Sequence, residues 1–170
     1  MSSMKTLSLI LLLSCVALVA DASPPTTVHL GVISETEISN LHDLNVVQLD
    51  PKAANVVYTA NESICIYSSK STHNYNVTID SNNSAYYELQ NASHVLPITL
   101  WWSAQANPEN AQQLTPNQPL LVQNSSASVQ PNCPNGLNAD LQLRINSDQL
   151  SGIPSGAYSA TLEVIVTAAN

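Results

Sequence analysis

Residues 157–168 read Ala-Tyr-Ser-Ala-Thr-Leu-Glu-Val-Ile-Val-Thr-Ala, and they indicate the fold more clearly than any other stretch. Apolar and polar residues alternate along them, as in a β-strand that buries one face. The predicted buried face carries Tyr158, Ala160, Leu162, Val164 and Val166. We therefore predict a strand over residues 157–168 that packs on the core. The sequence ends soon afterwards, so we expect no later strand to pair with its free edge.

The same alternation recurs in short runs separated by Asn, Pro, Ser and Gly, and almost nothing favours a helix. Further strands are predicted at residues 45–49, 55–60, 63–68, 75–80, 85–89, 97–103, 120–123 and 139–146. Polar, turn-rich stretches at 81–84, 107–119 and 131–138 read as loops. This spacing predicts an all-β fold built from two antiparallel sheets.

The first 22 residues have the layout of a secretory signal peptide. Lys5 precedes an apolar run from Leu7 to Val19, and Ala-Asp-Ala at 20–22 is a small-x-small cleavage site. We expect residues 1–22 to be removed. The apolar run is shorter than the about 20 residues that a membrane span needs, and no later segment approaches that length, so we expect no span in the mature chain. Cys15 leaves a lipoprotein cleavage site as an alternative.

Residues 23–40 read as an N-terminal extension ahead of a single domain at 41–170. The extension begins with a polar, Pro-rich stretch, and Val28, Leu30 and Val32 then alternate with other residues. This is strand-like sequence near a chain terminus, where segments are often exposed. The C-terminal strand of the predicted domain lacks a strand partner, and the N-terminal extension carries a spare strand.

Removal of the signal peptide leaves two cysteines, Cys65 and Cys133. An even pair in an exported protein favours one intramolecular disulfide, because the compartments outside the cytosol are oxidising. An intermolecular bridge or two free thiols are the alternatives. Neither cysteine lies in a motif that lowers a thiol pKa, so we expect the bond to support folding.

Charge and composition exclude several classes of function. Four basic residues stand against twelve acidic ones, for a net charge of −8, so the attraction that drives binding to nucleic acid or anionic lipid is missing. The four histidines lie apart in polar contexts without metal-ligand spacing. No serine lies in a Gly-x-Ser-x-Gly motif. We expect no enzymatic activity, no catalytic residues, no metal and no cofactor.

Trp101 and Trp102 are adjacent and are the two tryptophans of the chain. Alternation places Trp102 on the same face as Ile98 and Leu100, so it is predicted to lie in the core, and Trp101 points the other way. A role for Trp101 between subunits or beneath a loop is favoured over a carbohydrate site.

Three stretches together resemble a known family. They are Ser-Ile-Cys-Ile-Tyr at 63–67 followed by Tyr-Asn-Val-Thr-Ile at 75–79, Leu-Pro-Ile-Thr-Leu-Trp-Trp at 96–102, and the closing segment 153–167 with its Gly-Ala-Tyr. In these the chain resembles the spore coat protein U family, which includes Csu-type chaperone–usher pilins, and more loosely the alpha-type fimbrial subunits. The resemblance runs through nearly the whole mature chain.

The resemblance implies an incomplete immunoglobulin-like antiparallel β-sandwich that is completed by a donor strand. Its groove would be filled first by a periplasmic pilus chaperone and then, at an outer-membrane usher, by a neighbouring pilin subunit. The donor residues would be Val28, Leu30 and Val32. The acceptor groove would include Leu162, Val164 and Val166.

The function that follows from the resemblance is that of a structural subunit of a surface pilus or fimbria, exported through the periplasm to the cell surface. The alternative is a secreted β-sandwich binding module or adhesin whose fold is complete in itself. The pairing of residues 28–32, within the chain or with another chain, separates the two.

Overall fold

The computed structural model describes residues 36–44, 49–50, 52–81, 85–122 and 127–169. The strands are β1 (Thr36–Ser39), β2 (Val57–Ser68), β3 (Tyr75–Asp80), β4 (Tyr87–Asn91), β5 (His94–Ser103), β6 (Gln112–Gln113), β7 (Leu120–Val122), β8 (Ala139–Asn146) and β9 (Glu163–Ala168). Two short 3₁₀ turns cover Pro108–Asn110 and Ser147–Leu150. The predicted all-β fold is confirmed. No helix in the described ranges is long and apolar enough to cross a membrane.

The strands form two sheets around one core. The larger sheet has the order β1-β2-β8-β5-β4, with β6 also paired to β5, and the smaller has the order β7-β3-β9. Every ladder between these strands is antiparallel. Both sheets contribute to one apolar cluster of the described residues, which includes Ile64 and Leu100 of the larger sheet and Val77 of the smaller one. The protein is therefore an antiparallel β-sandwich.

A buried aromatic pair joins the two sheets. The Trp102 ring on β5 meets the Tyr75 ring on β3 edge-to-face, with centroids 6.3 Å apart, and Trp102 Nε1 donates a hydrogen bond to Tyr75 Oη at 3.1 Å. Burial raises the pKa of Tyr75 to about 12, although the indole hydrogen bond acts in the opposite direction. The expectation that Trp102 lies in the core is confirmed.

The strands predicted at 55–60 and 63–68 are one continuous strand, β2. The two predicted ranges left Asn61 and Glu62 between them, and both residues are polar. In the sheet Asn61 Oδ1 accepts a hydrogen bond from Gln142 Nε2 at 2.9 Å, and Glu62 pairs with His42. Polar side chains that find partners beside the strand do not interrupt it.

The last strand begins at Glu163, and the prediction of a strand from 157 was wrong. β9 follows β3 only as far as the pair between Asp80 and Glu163, where β3 ends. Farther back, Ser159 exchanges two hydrogen bonds with Gln90 of β4, at 2.9 and 3.1 Å. Residues 157–162 therefore leave the smaller sheet and approach the edge of the larger one.

The structure also contains two strands that the sequence pattern did not predict. β1 lies in the predicted N-terminal extension, and β6 lies in the predicted loop 107–119. β1 has one apolar residue, Ile38, so alternation could not reveal it, and it is held by pairing with residues 65–68 of β2. Most of the strand predicted at 45–49 lies outside the described residues.

The predicted disulfide between Cys65 and Cys133 is confirmed, with a Cα–Cα distance of 5.7 Å. The loop that carries Cys133 runs along the end of β2. Ser128 N donates to Ile66 O at 2.8 Å and Ser68 N donates to Ser128 O at 3.1 Å. The Asn138 side chain accepts from the Ile66 N–H and donates to the Ile66 carbonyl, both at 2.8 Å. The bond therefore fixes a loop that already has hydrogen bonds to the strand.

The Asp140 carboxyl on β8 predicts an acid-dependent stability. Its side chain is buried, and Oδ1 accepts no hydrogen bond from the described residues. Burial raises the pKa of Asp140 above its ordinary 3.8, a hydrogen bond from Ser63 opposes the rise, and the nearby charge of Glu62 adds to it. Because the folded state binds this proton more tightly than the unfolded chain, the ionised carboxylate destabilises the fold as pH rises through the raised pKa.

We therefore expect Asp140→Asn to be more stable than the parent protein at about pH 7.5, with a difference that shrinks towards about pH 4. Urea unfolding at both pH values measures this. Asp148→Asn, at an exposed carboxylate, is the matched control for the loss of one negative charge. An Asp140→Asn protein that is less stable than the parent at neutral pH would contradict the prediction.

Candidate functional site

The inner faces of β8, β5 and β4 form the floor of an apolar groove with a volume of about 940 Å³. Alternate residues of β8 point into the groove, because side chains on a strand project to opposite faces. The floor consists of Leu89, Leu96, Leu100, Leu141, Leu143 and Ile145.

Two irregular segments flank this floor. Residues 41–44 and Leu49 line one side, and residues 153–162 line the other, leading into Val164 of β9. Leu44, Leu49 and Ile153 also pack against the main core. The groove is therefore continuous with the core, and any apolar side chain placed in it would join that core.

Contacts with β2 hold the wall formed by residues 41–44. His42 Nδ1 lies 2.7 Å from Glu62 Oε1, and Asn40 Nδ2 donates a hydrogen bond to Ser63 O at 3.2 Å. The His42 side chain is 66% exposed, so this pair adds little to stability. Its effect is to place the segment beside β2.

One edge of β9 adjoins the groove. β3 pairs with β9 along its other edge, and Thr36 Oγ1 donates a hydrogen bond to Val166 O at 3.1 Å from the side opposite β3. Since backbone groups of alternate residues face the same edge in an antiparallel ladder, the N–H and C=O of Val164 also point away from β3. In the described ranges no strand pairs with this edge.

This geometry can accept an extended peptide. A strand laid beside Val164 would form main-chain hydrogen bonds with β9 and place every second side chain over the leucines of the floor. The groove therefore combines the two requirements of strand addition: a backbone edge that no described strand occupies, and an apolar surface beside it.

The predicted acceptor residues do not all lie in the groove. Leu162 and Val164 line it, whereas Val166 packs against the core and is not part of the lining. At Val166 the edge of β9 is covered by Thr36. The predicted donor residues Val28, Leu30 and Val32 lie outside the described residues, as do the boundaries of the signal peptide. The acceptor and donor roles stay predictions.

Sequence reasoning missed the floor of the groove. Leu141, Leu143 and Ile145 alternate with Gln142 and Arg144 on β8, and this pattern predicted a strand at 139–146 without a role. The alternation shows which residues share a face, and it cannot show that part of that face lies beneath a groove. Among the described residues, no group of three or more His, Cys, Asp or Glu side chains is placed to hold a metal ion.

Comparison with solved structures finds a similar fold in a complex of fimbria biogenesis. The match is one chain of a chaperone-tip adhesin complex described as vital for synergistic activation of CFA/I fimbriae biogenesis, with a TM-score of 0.55 and 19% sequence identity. It covers 80% of this chain and 42% of the other, so the present chain spans less than half of that protein. At this identity the likeness concerns the fold. No protein-family model and no curated protein match the chain.

Proposed function

We propose that the chain is a structural subunit of a surface pilus or fimbria, of the spore coat protein U and Csu type, assembled by donor-strand exchange. The observation that carries the proposal is the apolar groove beside an edge of β9 that has no strand partner in the described ranges. A periplasmic chaperone would fill the groove first. At an outer-membrane usher, the extension of a neighbouring subunit would then replace it.

The sequence supplies a donor that suits this groove. Val28, Leu30 and Val32 occur at a spacing of two, which places them on one face of an extended strand. That face would lie on the leucines of the floor, and the backbone of the same segment would pair with β9. The fold similarity to a chain of a fimbrial complex and the disulfide, which fits an exported protein, support the same proposal.

The second candidate is a secreted binding module or adhesin with a self-complete fold. β1 favours it, because Thr36–Ser39 of the predicted extension pairs with β2 of the same chain. If the preceding residues folded back in the same way, they would fill the chain's own groove and the protein would remain a monomer.

The oligomeric state of the mature chain and of a chain lacking residues 23–34 tests the proposal. For a pilus subunit we expect the mature chain to assemble and the truncated chain to remain a monomer that a peptide of residues 23–34 stabilises against heat, because binding to the folded state raises its stability. Light scattering and thermal unfolding provide the measurements.

Matched peptides sharpen this test. Leu30→Asp in the peptide should abolish the stabilisation, because a carboxylate would enter the apolar groove, whereas His29→Asp should not, because position 29 faces away. A mature chain that is monomeric, together with a truncated chain that unfolds, would instead establish the self-complete binding module.

A further inference from the structure

The outer face of the larger sheet carries a polar site on the side opposite the groove. β8 alternates, so that Leu141, Leu143 and Ile145 face the groove while Gln142 and Arg144 face outward. Arg144 lies over the indole of Trp101 on β5, with its Cζ 4.0 Å from the ring centroid. We call this pair the Arg–Trp platform. The sequence pattern placed Trp101 on this face and favoured a role between subunits or beneath a loop over a carbohydrate site; the contact with Arg144, which the pattern did not show, reopens the carbohydrate site.

Neighbouring side chains fix the platform. Arg144 Nε donates a hydrogen bond to Gln142 Oε1, and Gln142 Nε2 donates in turn to Asn61 Oδ1 at 2.9 Å. On the other side, Trp101 Nε1 donates to Thr99 Oγ1 at 3.2 Å. Gln142 is only 6% exposed, so the residue that orients the guanidinium is itself held rigidly in the sheet.

The terminal N–H groups of the Arg144 guanidinium are available to donate hydrogen bonds to a ligand. Arg144 is the single arginine of a chain with four basic residues. No carboxylate of the described residues lies within ion-pair distance of Arg144. Its Nε–H is bonded to Gln142, and its terminal N–H groups form a planar fork that suits a carboxylate.

The surroundings narrow the ligand class. Asp140, which alternation places on the same face of β8, is buried and accepts a hydrogen bond from Ser63. The exposed side chains that pair with the platform across the sheet are neutral, namely Thr59, Asn61 and Gln113. Such groups can exchange hydrogen bonds with sugar hydroxyls, and the half-buried indole offers apolar surface to sugar C–H groups. A densely charged polyanion is disfavoured, because the chain carries a net charge of −8 and would repel it. A ligand with one carboxylate among neutral hydroxyls matches all of these features.

We propose that the Arg–Trp platform binds an acidic sugar residue, with the carboxylate on the Arg144 fork and the ring hydroxyls on the surrounding amides. This site does not depend on donor-strand exchange, since it lies on the opposite face of β8 from the groove. Occupation of the groove would leave the platform accessible.

Titration of the mature chain with sodium glucuronate, followed by saturation-transfer NMR and tryptophan fluorescence, tests the proposal. We expect saturable binding in about the millimolar range. The methyl ester of glucuronate keeps the ring and removes the charge, and we expect it to bind at least about tenfold more weakly. Sodium acetate and a glutamate-containing tripeptide distinguish sugar recognition from binding of any carboxylate.

Variants locate the site. Arg144→Gln should abolish binding and Arg144→Lys should weaken it, whereas Lys52→Gln, which removes the same charge elsewhere, should bind as the parent does. Asn61→Asp is a second variant that keeps the platform packed and places a competing carboxylate beside it, so it should also weaken binding. Thermal unfolding checks that each variant is folded.

Three results would overturn the proposal: equal binding of glucuronate and its ester, binding of acetate or the tripeptide as tight as that of glucuronate, or unchanged binding by folded Arg144→Gln. Assembly of Arg144→Gln is a separate readout. Its failure would bear on the pilus subunit proposal and leave the sugar titration valid.

Discussion

For the proposed pilus subunit, replacement of Leu162 or Val164 by aspartate is expected to abolish chaperone capture and assembly, and it is the largest effect that the groove predicts. Both side chains line the groove. A carboxylate placed there would lose its water without gaining a partner, at a cost of several kcal/mol. Co-expression with the chaperone, followed by pull-down and electron microscopy of the cell surface, measures the loss.

The strand itself provides the control. Thr167 is exposed and lies on the face of β9 opposite Val164, the same face that carries the exposed carboxylate of Glu163. Thr167→Asp should therefore assemble normally. Because the penalty in the groove is comparable with the stability of a domain, circular dichroism of each variant is needed to separate misfolding from failed docking. Normal filaments from both groove variants would show that β9 does not line an assembly site.

Loss of the disulfide is the second large effect. The bond spans 68 residues of sequence, and in the chain-entropy model a loop of this length stabilises the fold by about 4 kcal/mol. We expect the Cys65→Ala, Cys133→Ala double variant to lose most of that free energy of unfolding, as measured by urea denaturation under oxidising conditions.

The parent protein in reductant should lose a similar amount of stability, whereas the double variant should be indifferent to reductant. Hydrogen bonds from Ser128 and Asn138 to β2 would still hold the loop, so the native fold should persist in the variant near room temperature. A double variant as stable as the oxidised parent would show that the unfolded chain is already restricted by other contacts.

The sequence predicted strands best where alternation and burial agree. β3 and β8 begin and end where they were predicted, because Val77, Ile79, Leu141 and Leu143 alternate without interruption. β9 was predicted six residues too long, since the pattern continues through Tyr158 although the partner strand β3 ends. Local pattern indicates which residues can form a strand, and ladder partners decide where it stops.

The two candidate sites differ in how many of their residues could be predicted from the sequence. Leu162 and Val164, which were predicted for an acceptor groove, line the apolar groove of the structure, and their acceptor role stays a prediction. The Arg–Trp platform could not be predicted, because Arg144 and Trp101 lie on different strands and their contact depends on the register of β8 with β5. Cross-strand neighbours depend on register, which a single sequence does not determine.

Both faces of β8 have specific contacts, since one face forms the groove floor and the other carries the bonded side chains of Gln142 and Arg144. A shift of β8 by one residue relative to β2 and β5 would turn Gln142 and Arg144 into the groove and Leu141 and Leu143 out to solvent. Every polar contact of Gln142 would be lost at the same time as the apolar floor. The strand therefore penalises a register error on both sides, and competing pairings of the larger sheet are strongly disfavoured during folding.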